Sequence, residues 1–226
     1  MKNEMHTNDM GMTAGSAKES GPERVNAFSD GIFAIIITIM ILDLKKPEAP
    51  TFAALAQQWP TWISYLVSYL FIAIVWTNHH FLSKHMHSVT PGLIWANFGH
   101  MFAVGLIPFL TSWMAETRLA PLPVAMYAFV FLLVNLTYLA LIYQTLCKYS
   151  GTTASERTRQ LVHLRSVTTI GAFITATIIS FWLPYLGFLI ITLCLTLYLK
   201  PEGALMPRTS ITKNKTHAST ILAEFV

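Results

Sequence analysis

Runs of about 20 apolar residues recur along this chain, and no other feature limits its fold as strongly. A helix needs about that length to cross roughly 30 Å of hydrocarbon at about 1.5 Å per residue. Six such runs are read at approximately 27–45, 61–82, 92–115, 121–147, 164–183 and 185–200. Only 12% of the 226 residues are charged, far below the roughly 25% of a soluble globular domain. The runs are therefore read as membrane helices, because a helix is the one open structure that satisfies its own backbone in lipid. The expected fold is all-α, a polytopic membrane protein with six transmembrane helices. Its expected organisation is a disordered cytoplasmic arm over 1–22, a transmembrane domain over 23–200 and a flexible tail over 201–226.

The basic residues orient the spans, since Lys and Arg accumulate on the cytoplasmic side. With the N-terminus inside, Lys2, Lys18, Arg24, Lys84, Lys148, Arg157, Arg159, Arg165, Lys200, Arg208, Lys213 and Lys215 are internal, against Lys45, Lys46 and Arg118 outside. That asymmetry predicts both termini in the cytoplasm. Residues 1–22 lack the apolar core of a signal peptide. The fifth and sixth runs meet around Pro184 and Tyr185 almost without a loop, which makes them an antiparallel hairpin. Cys147 and Cys194 fall inside predicted helices, where a small buried hydrophobe is the default reading. The net charge of +4 is a topology signal, and nothing points to nucleic acid as a partner.

Polar information is concentrated at the first run, RVNAFSDGIFAIIITIMILDL over 24–44. Arg24, Ser29 and Asp30 stand at its mouth, with Asn26 or Glu23 as candidate caps, followed by an apolar helix whose one hydroxyl is Thr38. Charges at the edge of lipid call for partners. The end of the second run supplies them at the same membrane level: Trp76, Asn78, His79 and His80. His85 and His87 follow in the short internal loop. At about 100° per residue, Ile35, Ile39 and Leu42 share one stripe with Gly31, and Thr38 lies at its edge, while Asp30 points about 140° away from Ile35. In the third run His100 is deep, favouring an interhelical hydrogen bond, and Pro108 predicts a kink.

Enzymatic constellations are missing: there is no HExxH, GxSxG, CxxC or Walker-type loop, and no acids paired at a common depth. The eight histidines do not form the paired deep set that a membrane haem site needs. No catalytic residue, metal or cofactor is expected. The potassium-filter motif TVGYG is also absent, so a conducting path would rely on an apolar constriction that gates by dewetting, with threonine hydroxyls coordinating the ion. By composition alone, Ile35, Thr38, Ile39 and Leu42 suit a lipid-facing surface as well as a pore. The alternative class is a secondary transporter or proton-coupled cation exchanger built on His100 and Asp30, for which only Pro108 hints at a broken helix.

Arg24, Phe28, Ser29 and Asp30 form an RxxxFSD pattern that resembles the opening of the first helix in the transmembrane protein 175 family, and VWTNHHFL over 75–82 resembles the family's second-helix end. The span plan from about 20 to 200 is similar to the prokaryotic six-helix, single-repeat members. The resemblance implies a homotetrameric, modestly potassium-selective channel in the cytoplasmic membrane, with the permeant potassium ion and the lipid bilayer as partners. It further implies that the first helix of each subunit lines the pore. Ile35, Ile39 and Leu42 would be the constriction and Thr38 a hydroxyl layer, while Arg24, Phe28, Ser29, Asp30, Trp76, Asn78 and His80 would join the helices.

Overall fold

The computed structural model describes residues 21–84, 86, 89–147 and 156–198. Most of the expected arm, the whole tail, His85, His87 and the basic residues Lys2, Lys18, Lys148, Lys200, Arg208, Lys213 and Lys215 lie outside the described residues. So do the side chains of Cys147, Arg157, Arg159 and Arg165.

Eight α-helices carry the described chain: α1 (Gly21–Leu42), α2 (Phe52–Gln57), α3 (Trp59–Ser83), α4 (Pro91–Gly105), α5 (Ile107–Glu116), α6 (Pro121–Ile142), α7 (Glu156–Ser180) and α8 (Pro184–Tyr198). A π-helical turn over Tyr143–Cys147 prolongs α6. Four helical stretches are long and apolar enough to cross a membrane: Gly21–Leu42, Trp59–Ser83, Pro91–Glu116 and Pro121–Thr145. The apolar parts of the last two helices, Val167–Ile179 and Pro184–Thr196, are shorter.

Several boundaries differ from expectation for local reasons. Helix α1 is described from Gly21, inside the stretch assigned to the arm. Glu23 and Asn26 consequently lie within the helix and not at its cap. The proline-rich loop before the second span contains α2, started by Thr51, whose hydroxyl accepts from the Ala54 N–H at 3.2 Å. Pro108 breaks the third span: α4 ends at Gly105, and the Leu106 N–H turns back to the Ala103 carbonyl.

Helix α6 is the centre of the bundle, packing on α4, α5, α7 and α8, while α1 leans on α3, α4 and α5 from one side. Aromatic rings fill the core: Phe71 of α3 stacks on Phe131 of α6 with centroids 3.6 Å apart, and Phe173 of α7 meets both edge-on. One buried hydroxyl cluster crosses this core. Ser68 bonds Thr111 and Tyr127, each at 2.7 Å, tying α3, α5 and α6 together. Trp59, Trp62, Trp182 and Tyr185 are exposed at one end of the bundle, and Trp76 and Trp95 at the other. Such a pair of aromatic girdles is what two membrane–water interfaces select.

The α7–α8 hairpin depends on Gly187. A Cβ there would run into Ser180 Oγ and come within 3.0 Å of the Ala176 carbonyl oxygen. Gly171, on the same α7, has open space around it. Gly187→Ala is therefore expected to lower the melting temperature of the detergent-solubilised protein by several degrees. Gly171→Ala should leave it equal or raise it, since alanine is favoured over glycine in a helix interior by about 0.5–1 kcal/mol. Equal behaviour of the two variants in a thermal shift assay would show that the close approach is absent.

Candidate functional site

The rotational phase of α1 is set by one polar contact deep against its neighbours. Ser29 is fully buried on α1, and its hydroxyl donates to the Val25 carbonyl at 2.9 Å while accepting from Asn97 Nδ2 of α4 at 2.9 Å. The carbonyl oxygen of Asn97 is in turn met by His79 Nε2 of α3 at 2.9 Å. An amide oxygen only accepts, so His79 donates from Nε2. Below this anchor Phe33, Ile36 and Met40 continue the buried stripe, with the edge of the Phe33 ring against the His79 ring. The spacing 29, 33, 36, 40 is that of one helix face.

Asp30, the next residue along, is exposed and accepts from Trp76 Nε1 of α3 at 2.9 Å. His80 lies parallel to the same indole, with centroids 5.4 Å apart. Phe28 packs edge-on against Phe98 of α4. Arg24 is exposed, and among the described residues no side-chain partner is found for it. Asn78 departs from its expected place. It is buried, but its side-chain oxygen meets no partner on α1, because one residue further along α3 turns about 100° and brings His79 to the anchor instead. His100 bonds Thr137 of α6 at 3.0 Å and stacks parallel to His79, with centroids 6.1 Å apart. Among the described residues no three His, Cys, Asp or Glu side chains gather as a metal site.

With Ser29 inward, the helical turn decides what points outward. Thr38 stands nine residues on, about 180° around the helix. Ile35, Ile39 and Leu42 flank it, and all four are exposed, Leu42 by 80%. The Thr38 hydroxyl donates to the Ile35 carbonyl at 2.8 Å, so its proton is occupied and its lone pairs face away from the helix. Only 22% of the apolar window of α1 is buried within the chain, against 44%, 50% and 39% for the next three spans. This helix shows most of its surface to something other than its own chain. At its far end, Lys45 bonds Glu116 of α5 at 2.7 Å. That bond and the carboxylate's charge raise the Lys45 ammonium above its ordinary pKa. The pair borders an open cavity of about 110 Å³ that Asp43, Thr61 and Ser112 also line.

Comparison with known proteins adds four findings. Residues 24–108 match the family model described as the endosomal/lysosomal potassium channel TMEM175. The chain is 30% identical over 181 residues to a potassium channel of Chryseobacterium sp. (strain P1-3), spanning 79% of this chain and 93% of that relative. It is 39% identical over 131 residues to a potassium channel of Streptomyces collinus (strain DSM 40733 / Tue 365), spanning 54% of this chain and 63% of the relative. Its fold is similar to the crystal structure of a lysosomal potassium-selective channel TMEM175 homolog from Chamaesiphon minutus, with a TM-score of 0.68 over 78% of this chain and 95% of that one, at 24% identity.

The anchor and the mouth of α1 should respond differently to mutation. Asn97→Leu leaves the buried His79 Nε2–H without an acceptor, at a cost of about 1–3 kcal/mol, and removes the bond that Ser29 accepts across the helices. Trp76→Phe removes one bond to an exposed carboxylate, of the order of 0.6 kcal/mol for a polar contact in a membrane protein. Melting temperatures in detergent should fall several times further for Asn97→Leu. Comparable losses would show that α1 is not held at Asn97.

Proposed function

This chain belongs to the TMEM175 family, and on that premise we propose that it forms a potassium-permeable channel whose ion path is lined by α1 of each subunit. The observation that carries the reading is the two-faced α1: one stripe anchored to α3 and α4 through Ser29 and Asn97, the opposite stripe of Ile35, Thr38, Ile39 and Leu42 left open by its own protomer. A single protomer encloses no path along that stripe. Four copies around an axis would. The proposed channel is a homotetramer in the cytoplasmic membrane, with six spans per subunit, the last two being α7 and α8, and both termini inside.

In this arrangement Ile35, Ile39 and Leu42 form stacked apolar rings. From residue 35 to residue 42 the helix rises about 10 Å, a third of the roughly 30 Å hydrocarbon core. An apolar passage of that length excludes ions when narrow and conducts when wetted. Thr38 interrupts it with one hydroxyl per subunit. Because each hydroxyl proton is held by the Ile35 carbonyl, the oxygen lone pairs face the axis and can replace part of an ion's water. One such layer holds fewer ligands than a cage of backbone carbonyls, so selectivity for potassium over sodium is modest. Asp30, about five residues before the constriction, points away from this stripe and joins α1 to α3 through Trp76.

Purified protein in liposomes should pass potassium in preference to sodium, in single-channel steps. Thr38→Val keeps the volume and removes the hydroxyl. If that hydroxyl layer contributes about 1 kcal/mol of discrimination, the permeability ratio falls roughly fivefold and the bi-ionic reversal potential moves toward zero. An unchanged reversal potential removes Thr38 from the selectivity site. Ile39→Ala, which trims a ring of the constriction, is expected to raise the unitary current; a current equal to that of the unmodified protein would place the constriction elsewhere.

A further inference from the structure

The open stripe of α1 has two flanks, and side-chain contacts identify the helix beside each. On one flank Asp30 accepts from Trp76 of α3. On the other, Phe28 packs edge-on against Phe98 of α4, with centroids 5.3 Å apart. Around the helix Thr38 falls midway between Phe28 and Asp30, about 80° from each. Both neighbours carry the flank onward with exposed rings. On α3 these are Tyr69 and Trp76, with Ala73 between them. On α4 they are Trp95, Phe98 and Phe102, with Trp95 exposed by 74% and Phe102 by 68%. Gly99 lies among the α4 rings, and nothing stands within 4 Å of the place its Cβ would take.

Large rings separated by small residues make the ridges and hollows through which helices pack. Lipid is a poor occupant of the α3 flank, because Asp30 stands exposed there and an ionised group at the edge of hydrocarbon is placed against protein or water. Symmetry supplies another occupant. When α1 of each of four copies faces one axis, a quarter turn relates consecutive copies, and one flank of each α1 meets the opposite flank of the next. The two flanks differ, so the contact is heterologous and closes into a ring.

We propose that the α4 flank of one subunit, with Trp95, Phe98 and Phe102, packs on the α3 flank of the next, with Asp30, Tyr69 and Trp76. This interface presupposes the proposed ring of α1 helices and adds the surfaces that hold the ring together. Its register follows from contacts within one subunit. The Asp30–Trp76 bond sets α3 against α1, and the Phe28–Phe98 pair sets α4 against α1. At about 1.5 Å per residue from those pairs, Ala73 of α3 and Phe102 of α4 stand at one level. His80 and Trp95 stand at another, about 10 Å nearer the start of α1. Ala73 then offers the hollow that receives the Phe102 ring, and Gly99 offers one to the rings of α3.

Cross-linking of the full-length protein, in a background lacking Cys147 and Cys194, tests the contact. Two double variants, Ala73→Cys with Phe102→Cys and His80→Cys with Trp95→Cys, are treated with a short bis-maleimide and separated on a denaturing gel. Native mass spectrometry of the same samples reads the oligomeric state. Each pair should give a ladder that ends at the tetramer. The four single-cysteine variants should run as monomers on the gel, because a heterologous contact does not bring a position against its own copy. Tetramers by mass spectrometry with no ladder from either pair would overturn this interface and leave the proposed ion path standing. A monomeric protein would overturn both. A ladder from Phe102→Cys alone would mean that α4 meets α4, and would also overturn the interface. Two pairs at two levels keep the result independent of any one variant that fails to assemble.

Discussion

The chain of bonds from His79 to Asn97 to Ser29 decides which side of α1 faces its own bundle. Each of the three side chains is at least 97% buried, and in a low-dielectric interior a donor or acceptor removed from its partner has no water to turn to. Rotating α1 by one residue would carry Ser29 out of reach of Asn97 and bring Asp30 toward the core. The apolar stripe of Phe33, Ile36 and Met40 reinforces the choice, but apolar packing tolerates slippage between similar side chains in a way that a directional bond does not. The outward direction of Thr38 is a geometric consequence of that single contact.

The rest of the fold keeps the anchor still. Asn97 is presented by α4 and His79 by α3, and both helices are braced by α6, through the Phe71–Phe131 stack, the Ser68–Thr111–Tyr127 hydroxyl cluster and the His100–Thr137 bond. The break before Pro108 lets the third span bend, so that α4 approaches the first part of α1 and α5 its end. At the far end of α1, Lys45 and Glu116 meet on the surface, where an ion pair adds little energy. The helix is thus held firmly at its first third and loosely at its last turn.

Much of this was legible before any coordinates. Apolar run length located the helices because lipid imposes a single length scale, and the proline positions marked where the third and sixth helices begin or break. The wheel placed Ile35, Thr38, Ile39 and Leu42 on one side, and they do share an exposed surface. What that surface faces was not legible, since an apolar residue suits lipid and an apolar constriction alike. The partner of Ser29 was not legible either. Asn97 lies 68 residues away on another helix, and nothing local distinguishes it from Asn78, which stands at a comparable membrane level. Only the relative phase of α3 and α4 separates them. The Ser68, Thr111 and Tyr127 cluster went unseen for the same reason, with one hydroxyl on each of three helices and no motif in any. The short α2 was within reach, because Thr51 after Pro50 is a recognisable helix start.

The proposed channel turns the Thr38 face of α1 to the ion path, while the Ser29 face is packed against α3 and α4. Single cysteines placed along α1 in a background lacking Cys147 and Cys194, each probed for block of potassium flux by silver ion, read that orientation directly. Block at positions 35, 38, 39 and 42, with positions 33, 36 and 40 insensitive, is the predicted pattern. Block that follows 33, 36 and 40, or no block at any position along α1, would contradict it.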